Sequence, residues 1–111
     1  MLFTNPIPQR LKDARKRAKL SQKALGIRIG MDESSASARM NQYEKGKHTP
    51  DVKTLKLIAE ELGVPLQYFF CEDPLSAELA INLNKLSESD KQKVLALTAQ
   101  LLVESDQKNC D

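Results

Sequence analysis

The sequence predicts an all-α fold, and two observations support that prediction. Apolar residues recur every three or four positions along most of the chain, which is the spacing of a single helix face. Glycines and prolines separate these periodic stretches, and no stretch shows the strict alternation of a convincing strand. With 111 residues, the chain is long enough to bury one core without disulfide or metal support.

Two helices are predicted before the first glycine turn. Residues 8–19 form the first, with basic side chains around an apolar stripe. Ser21 is a suitable N-cap for the second, because its hydroxyl can accept a hydrogen bond from a free backbone N–H. Leu25 and Ile29 line the inner face of that helix, and Gly30 ends it, since glycine adopts the left-handed conformation most easily.

The third helix is predicted to begin within residues 32–35, where every residue is a plausible cap or first-turn residue. Its apolar stripe consists of Ala36, Met40 and Tyr43, at i, i+4 and i+7, and Gly46 closes it. If these residues point inward, polar and small side chains point outward. The predicted outward and flanking residues are Ser34, Ser37, Ala38, Asn41, Gln42 and Lys45.

Two further helices are indicated by their termini. Asp51 caps the fourth helix and Gly63 stops it, while Pro65 suits the first position of a short fifth helix over 66–70. The expected buried residues are Leu55, Ile58, Ala59 and Leu62 in the fourth helix, and Tyr68, Phe69 and Phe70 in the fifth.

Asp73-Pro74 begins a sixth helix, with Leu75, Leu79, Leu83 and Leu86 on one side. Ser87 with Asp90 resembles a capping box, so a seventh helix starts there and runs to about Val103. The predicted organisation is a first domain over 1–72, a C-terminal helical pair over 73–104 and a flexible tail over 105–111.

Charge is distributed unevenly along the chain. Residues 1–47 contain eleven Lys and Arg against four Asp and Glu, and residues 48–111 contain six against eleven. A basic half joined to an acidic half suggests that one end meets a polyanion. A basic run is also compatible with an ordinary solvated helix face.

Several classes of protein are disfavoured. No apolar run approaches the roughly 20 residues of a membrane span, and the N-terminus lacks the pattern of a signal peptide. Cys71 and Cys110 show no metal or redox spacing, so the expected compartment is the reduced cytosol. No catalytic constellation or glycine-rich phosphate loop is recognisable, and neither an enzyme nor a cofactor or metal is expected.

The second and third helices carry the functional hypothesis. A turn at Gly30 lets them cross steeply, and Gly26 would permit close contact because it has no side chain. The outward Asn41 and Gln42 can bridge an adenine edge, and Ala38 can touch a thymine methyl group. The alternative is that these polar residues simply face water.

A longer pattern extends this interpretation. It comprises Leu20-Ser21-Gln22, Leu25, Gly30, Glu44-Lys45-Gly46-Lys47, Pro50, Leu55, Ile58-Ala59, Leu62-Gly63-Val64, Leu66 and Phe69. With these residues, the stretch from about Arg10 to Phe70 resembles the phage-repressor/Cro-type helix-turn-helix family, also called the XRE family. The resemblance implies a five-helix repressor-like helix-turn-helix domain, followed here by two C-terminal helices.

The resemblance also implies roles for individual residues. An internal ion pair maps onto Arg15 and Glu44. The base-contacting residues map onto Ser37, Ala38 and Gln42, with Asn41 adjacent. Contacts to the DNA backbone are expected from the basic residues Arg10, Lys12, Arg17, Lys19, Lys23, Arg39, Lys45 and Lys47. The counterpart of Gln22, at the start of the second helix, contacts the DNA backbone or a base.

One stretch departs from the family pattern. About four residues, Asp32 to Ser35, are inserted between the turn glycine and the end of the third helix. The insertion either lengthens the turn or adds a turn to the helix. Its two carboxylates suit a helix N-terminus but repel phosphates, which affects how the third helix docks.

The C-terminal helices suggest self-association. The seventh helix is apolar over more than one narrow stripe and so favours two partners, the sixth helix and a second subunit. The predicted homodimer interface is Leu79, Leu83, Val94, Leu97 and Leu101. The alternative is a monomer in which both helices pack on their own chain.

Two functions follow from the sequence. The first is a transcriptional regulator, a repressor that binds an inverted-repeat operator in double-stranded DNA as a dimer. The second is a protein-interaction adaptor or antitoxin-like partner that keeps the fold with weak or no DNA binding, as the acidic insertion and the small Ala38 suggest. A protein antagonist is a possible partner for the regulator, since few residues remain for an effector domain.

Overall fold

The fold is described by a computed structural model covering residues 3–109, with the side chain of Asn109 excepted, and Cys110 lies outside these residues. Within that range the chain is helical and contains no strand, which confirms the predicted all-α class. The elements are α1 (Ile7–Arg17), α2 (Gln22–Arg28), α3 (Ala36–Glu44), α4 (Val52–Leu62), a 3₁₀ helix (Leu66–Phe70), α5 (Pro74–Lys85) and α6 (Glu88–Asn109).

Four of the predicted helices begin with a side-chain cap. Each capping oxygen accepts a hydrogen bond from the backbone N–H three residues ahead, which satisfies one of the free donors of the first turn. The pairs are Ser21 with Ala24 at 3.0 Å, Asp51 with Thr54 at 2.8 Å, Asp73 with Ser76 at 3.0 Å and Ser87 with Asp90 at 3.1 Å.

The chain divides into two compact units, Met1–Ile81 and Asn82–Asp111. The first unit holds the hydrophobic core, to which every helix from α1 to the 3₁₀ helix contributes. Its most deeply buried large side chains are Leu11, Leu25, Met40, Leu55, Ile58 and Phe69. The division falls nine residues beyond the boundary predicted after residue 72.

Residues 32–35 lie in the turn that precedes α3. The backbone N–H groups of Ser35 and Ala36 donate to the Asp32 carbonyl oxygen at 3.1 and 2.9 Å. Helix α3 begins only at Ala36. Of the two predicted outcomes, the insertion therefore lengthens the turn.

The aromatic residues of the 3₁₀ helix separate into two faces. Tyr68 and Phe69 are buried, as predicted, and the Tyr68 hydroxyl donates to the Arg10 carbonyl oxygen at 3.1 Å. Burial raises the pKa of Tyr68. The prediction that Phe70 is buried is wrong, because it is 51% exposed. With three residues per turn, Phe70 shares its face with the exposed Gln67.

The C-terminal helices bury few side chains, and the last helix is longer than predicted. The buried residues of α5 are Ala77, Ala80 and Ile81, while Leu75 and Leu79 are exposed. Helix α6 continues to Asn109, so residues 105–109 of the predicted flexible tail are helical. None of its described side chains is buried. Among the described residues, no helix combines the length and apolarity needed to cross a lipid bilayer.

Candidate nucleic-acid interface

Helices α2 and α3 approach each other closely at Gly26. A Cβ atom at this position would lie 2.8 Å from Ala36 Cβ and 3.1 Å from Met31 Sδ. Real Cβ atoms do not come so near, so only glycine allows this contact. The close approach that the sequence predicted at Gly26 fixes α3 against α2 and leaves its opposite face outward.

The outward face of α3 carries short side chains. Ser37, Ala38 and Asn41 are exposed, and Gln42 is half-buried beside them. Ala36 and Met40 are buried on the opposite side, as predicted, and Tyr43 is half-buried. All four predicted base-contacting residues therefore lie on or beside the face of α3 that points away from the protein. Short polar and methyl groups can read base edges in a major groove.

Arg15 and Glu44 form a two-pronged ion pair between α1 and α3. Arg15 Nε donates to Glu44 Oε2 at 2.6 Å, and Arg15 Nη2 donates to Glu44 Oε1 at 3.0 Å. Arg15 Nη1 also donates to the Leu20 carbonyl oxygen at 2.8 Å. The Glu44 side chain is only 3% exposed, and its hydrogen bond raises the pKa of Arg15. This pair anchors the end of α3 to α1.

Gln22 links this ion pair to the outward face. Its Nε2 atom donates to Glu44 Oε1 at 3.1 Å and to Asn41 Oδ1 at 3.2 Å, which uses both amide hydrogens. The remaining atom, Oε1, is an acceptor and cannot bind a phosphate oxygen. The predicted backbone contact of Gln22 therefore requires one of these bonds to break. Its free oxygen instead suits a base amino group, such as that of cytosine.

Exposed basic side chains occur before, within and after α2 and α3 in the first 47 residues of the chain. Lys23 is partly engaged, because its Nζ lies 3.3 Å from Glu33 Oε1 in the lengthened turn. An exposed pair of this kind is weak and is screened by salt. The exposed residues from the predicted backbone-contacting set are Lys12, Arg17, Lys19, Lys23, Arg39, Lys45 and Lys47.

Arg10 is the exception, and its prediction as a phosphate contact is wrong. The residue is 7% exposed because it lies on the inner face of α1 with Ile7, Leu11 and Ala14. Its Nη2 atom is 3.8 Å from Asp13 Oδ2, and its buried Nε has no hydrogen-bond partner among the described residues. Ile7, Leu11 and Ala14 lie at i−3, i+1 and i+4 from Arg10, and this spacing was the signal in the sequence for the burial of Arg10.

A polar depression beside α3 was not foreseen. Arg39, Gln42 and Tyr43 line it from the helix, and His48 and Thr49 line it from the following loop. The loop folds back because the N–H groups of Lys47 and His48 both donate to the Gln42 carbonyl oxygen, at 3.0 and 3.4 Å. The sequence pattern places Tyr43 on the inner stripe of α3 and does not indicate that the loop residue His48 lies beside it.

Comparisons with known proteins agree with this geometry. The Helix-turn-helix family model matches residues 11–69, which include α2, α3 and the Arg15–Glu44 pair. The crystal structure of transcriptional regulator BswR is 44% identical in sequence and superimposes with a TM-score of 0.80. That match covers 88% of this chain and 97% of the other. No curated protein sequence matches the chain.

Proposed function

This chain belongs to the XRE, or phage-repressor/Cro-type, family of helix-turn-helix DNA-binding regulators, and from that premise we propose that it is a repressor. In this proposal it binds an inverted-repeat operator as a homodimer in the cytoplasm. Helix α3 enters the major groove, and the exposed basic residues hold phosphates on either side.

The observation that carries the proposal is the outward face of α3. Ser37, Ala38 and Asn41 are exposed on a helix whose other side is fixed by Gly26 and Glu44. A groove-reading helix needs this combination, because its side chains must reach base edges while its backbone stays in one place. In this proposal the exposed basic side chains of the first 47 residues supply the affinity that is independent of sequence.

Homodimer formation is proposed through the C-terminal helices. Leu79, Leu97 and Leu101 are each more than half exposed, while Leu83 and Val94 are half-buried. A two-fold dimer doubles both phosphate contacts and base readout, and it matches a palindromic site. The transcriptional role as a repressor follows from such binding when the operator overlaps a promoter.

Selection of bound duplexes from a random library tests the proposal. We expect enrichment of an inverted repeat, and binding that weakens steeply as salt rises because several counterions are released. Asn41→Ala should relax the preference at one position of each half-site by about 1–3 kcal/mol. Lys45→Ala should weaken binding to all sequences. It should also lower the slope of log affinity against log salt concentration by about one, which corresponds to one lost phosphate contact.

Lys56→Ala is the matched control, since it removes one exposed lysine from α4, outside the predicted contact set. We expect its affinity and salt slope to equal those of the wild type. A library that returns no enriched sequence, with salt-independent binding, would contradict the proposal.

The exposed carboxylates of the lengthened turn favour a second candidate, a protein-interaction adaptor of the same fold. Asp32 and Glu33 are both exposed and lie between α2 and α3. If the α2–α3 surface meets phosphates, the variant Asp32→Asn/Glu33→Gln should bind DNA a few times more tightly at low salt, because repulsion is removed. An adaptor would show weak or no DNA binding, with no difference between the two forms.

A further inference from the structure

Helix α6 carries a second apolar stripe, which the sequence prediction of the dimer interface did not include. Leu95 and Leu102 are 69% and 67% exposed, and they are among the most exposed large apolar side chains of the second unit. Seven residues separate them, which is close to two helical turns, so they lie on one face. Leaving such a stripe in water is unfavourable, and stripes of this kind mark contact surfaces.

Charged residues flank this stripe with opposite signs at its two ends. Lys91 lies four residues before Leu95, and Asp106 lies four residues after Leu102, so all four share the same helix face. Ala99 occupies the middle of the face. We call these five residues the Leu95–Leu102 face. Its N-terminal end carries Lys91, whose Nζ lies 3.5 Å from Glu88 Oε1, its C-terminal end carries Asp106, and its centre is small.

We propose that the Leu95–Leu102 face binds the same face of a second copy of this chain in antiparallel orientation. A two-fold axis between Thr98 and Ala99 places Leu95 opposite the partner's Leu102. The same axis places Lys91 opposite the partner's Asp106. Both pairs occur twice because the interface is symmetric. The small residues at the axis let the two helices approach to the usual 8–10 Å.

Charge complementarity selects the antiparallel orientation. In a parallel pair in register, Lys91 would lie beside the partner's Lys91 and Asp106 beside the partner's Asp106, and both contacts would be repulsive. In the antiparallel pair Lys91 instead meets the partner's Asp106, so the charges favour that direction. This inference rests on the homodimer of the proposed function, but it places the α6 contact on the Leu95–Leu102 face and not on Leu97 and Leu101.

Charge reversal with rescue tests the inference, with self-association of the full chain measured by sedimentation equilibrium at low salt. Lys91→Glu and Asp106→Lys should each weaken self-association about tenfold, since two attractive pairs become repulsive. The double variant Lys91→Glu/Asp106→Lys should return to within about threefold of the wild type. Circular dichroism checks that the helical content is unchanged.

Lys93→Glu is the matched control. In the wild type Lys91 Nζ lies 3.5 Å from Glu88, and Lys93 Nζ lies 3.6 Å from Asp90, so each reversal loses one exposed pair within α6. Lys93 is outside the Leu95–Leu102 face, and its reversal should change self-association less than about twofold. If the Lys91 and Asp106 variants behave like this control, the inference is wrong.

Disulfide trapping gives the orientation independently. The variants Leu95→Cys and Leu102→Cys are made in a background with Cys71→Ser and Cys110→Ser. Each variant is oxidised alone, and an equal mixture of the two is oxidised in parallel. We expect cross-linked dimers in the mixture alone, because a disulfide needs Cα atoms within about 7 Å. Cross-linking of Leu95→Cys with itself would overturn the antiparallel geometry.

The outcome separates this inference from the proposed function. A chain that dimerises with these variant effects but binds no DNA would refute the DNA-binding proposal alone. A chain that binds an inverted repeat as a dimer, with every variant unaffected, would refute the antiparallel contact alone. A chain that stays monomeric at about 100 µM, roughly a hundredfold above a micromolar Kd, would refute the contact and the proposed homodimer together.

Discussion

Replacing Gly26 with alanine should loosen α3 from the core. The new Cβ would meet Ala36 Cβ at 2.8 Å and Ala36 Cα at 3.2 Å, and neither atom can move without shifting α3 itself. Overpacking of this kind costs about 1–3 kcal/mol, while alanine gains about 0.5–1 kcal/mol over glycine within a helix. A contact as short as 2.8 Å belongs in the upper part of the overpacking range, so the net expectation is a loss of about 1–2 kcal/mol in the free energy of unfolding.

Thermal and urea unfolding followed by circular dichroism measure this loss, and for a chain of this size it lowers Tm by roughly 5–15 °C. DNA affinity of the folded variant should fall as well, because α3 is displaced. The double variant Gly26→Ala/Ala36→Gly removes the closest clash and should recover part of the penalty in a double-mutant cycle. A Gly26→Ala protein as stable as the wild type, with unchanged DNA affinity, would refute the close approach.

Other consequences are specific to single side chains. Glu44→Gln leaves the guanidinium of Arg15 without its counter-charge and should cost about 2–4 kcal/mol in urea unfolding. Hydrogen bonds from Thr54 lower the pKa of Asp51, and those from Ser76 lower the pKa of Asp73. The unfolded state therefore binds more protons, so the stabilisation is present above about pH 4 and is lost as pH falls through the folded-state pKa. Asp51→Asn should flatten the acid limb of the stability profile. Lys19 has a φ of 60°, so Lys19→Gly should gain about 0.5–1 kcal/mol of stability while its DNA-binding salt slope falls.

Local sequence signals were sufficient for most of the fold. The caps at Ser21, Asp51 and Ser87 depend on residues three positions apart, so the chain itself contains all the information they need. The inner face of α3 follows likewise from the spacing of Ala36 and Met40. Where a neighbour in sequence determines the conformation, inspection of the sequence gives the correct element.

The failures share a different physical cause, which is competition for tertiary burial. Phe70 is as apolar as Tyr68 and Phe69, yet it is exposed while they are buried. Arg10 is buried because α1 turns that face inward, and its charge did not prevent this. In both cases the side facing the core depends on where other helices lie, which one helix's own periodicity does not specify.

The candidate site shows how burial and recognition are joined in this fold. Glu44 neutralises Arg15 inside the domain and also receives the amide of Gln22, which in turn holds Asn41 on the outward face. Substitution at position 44 must therefore change stability and base preference together. Ala38 makes no such link and is exposed. New operator preferences should accordingly be obtained by substitution at position 38 with little loss of stability, whereas substitutions at position 44 that alter base preference also lower the free energy of unfolding.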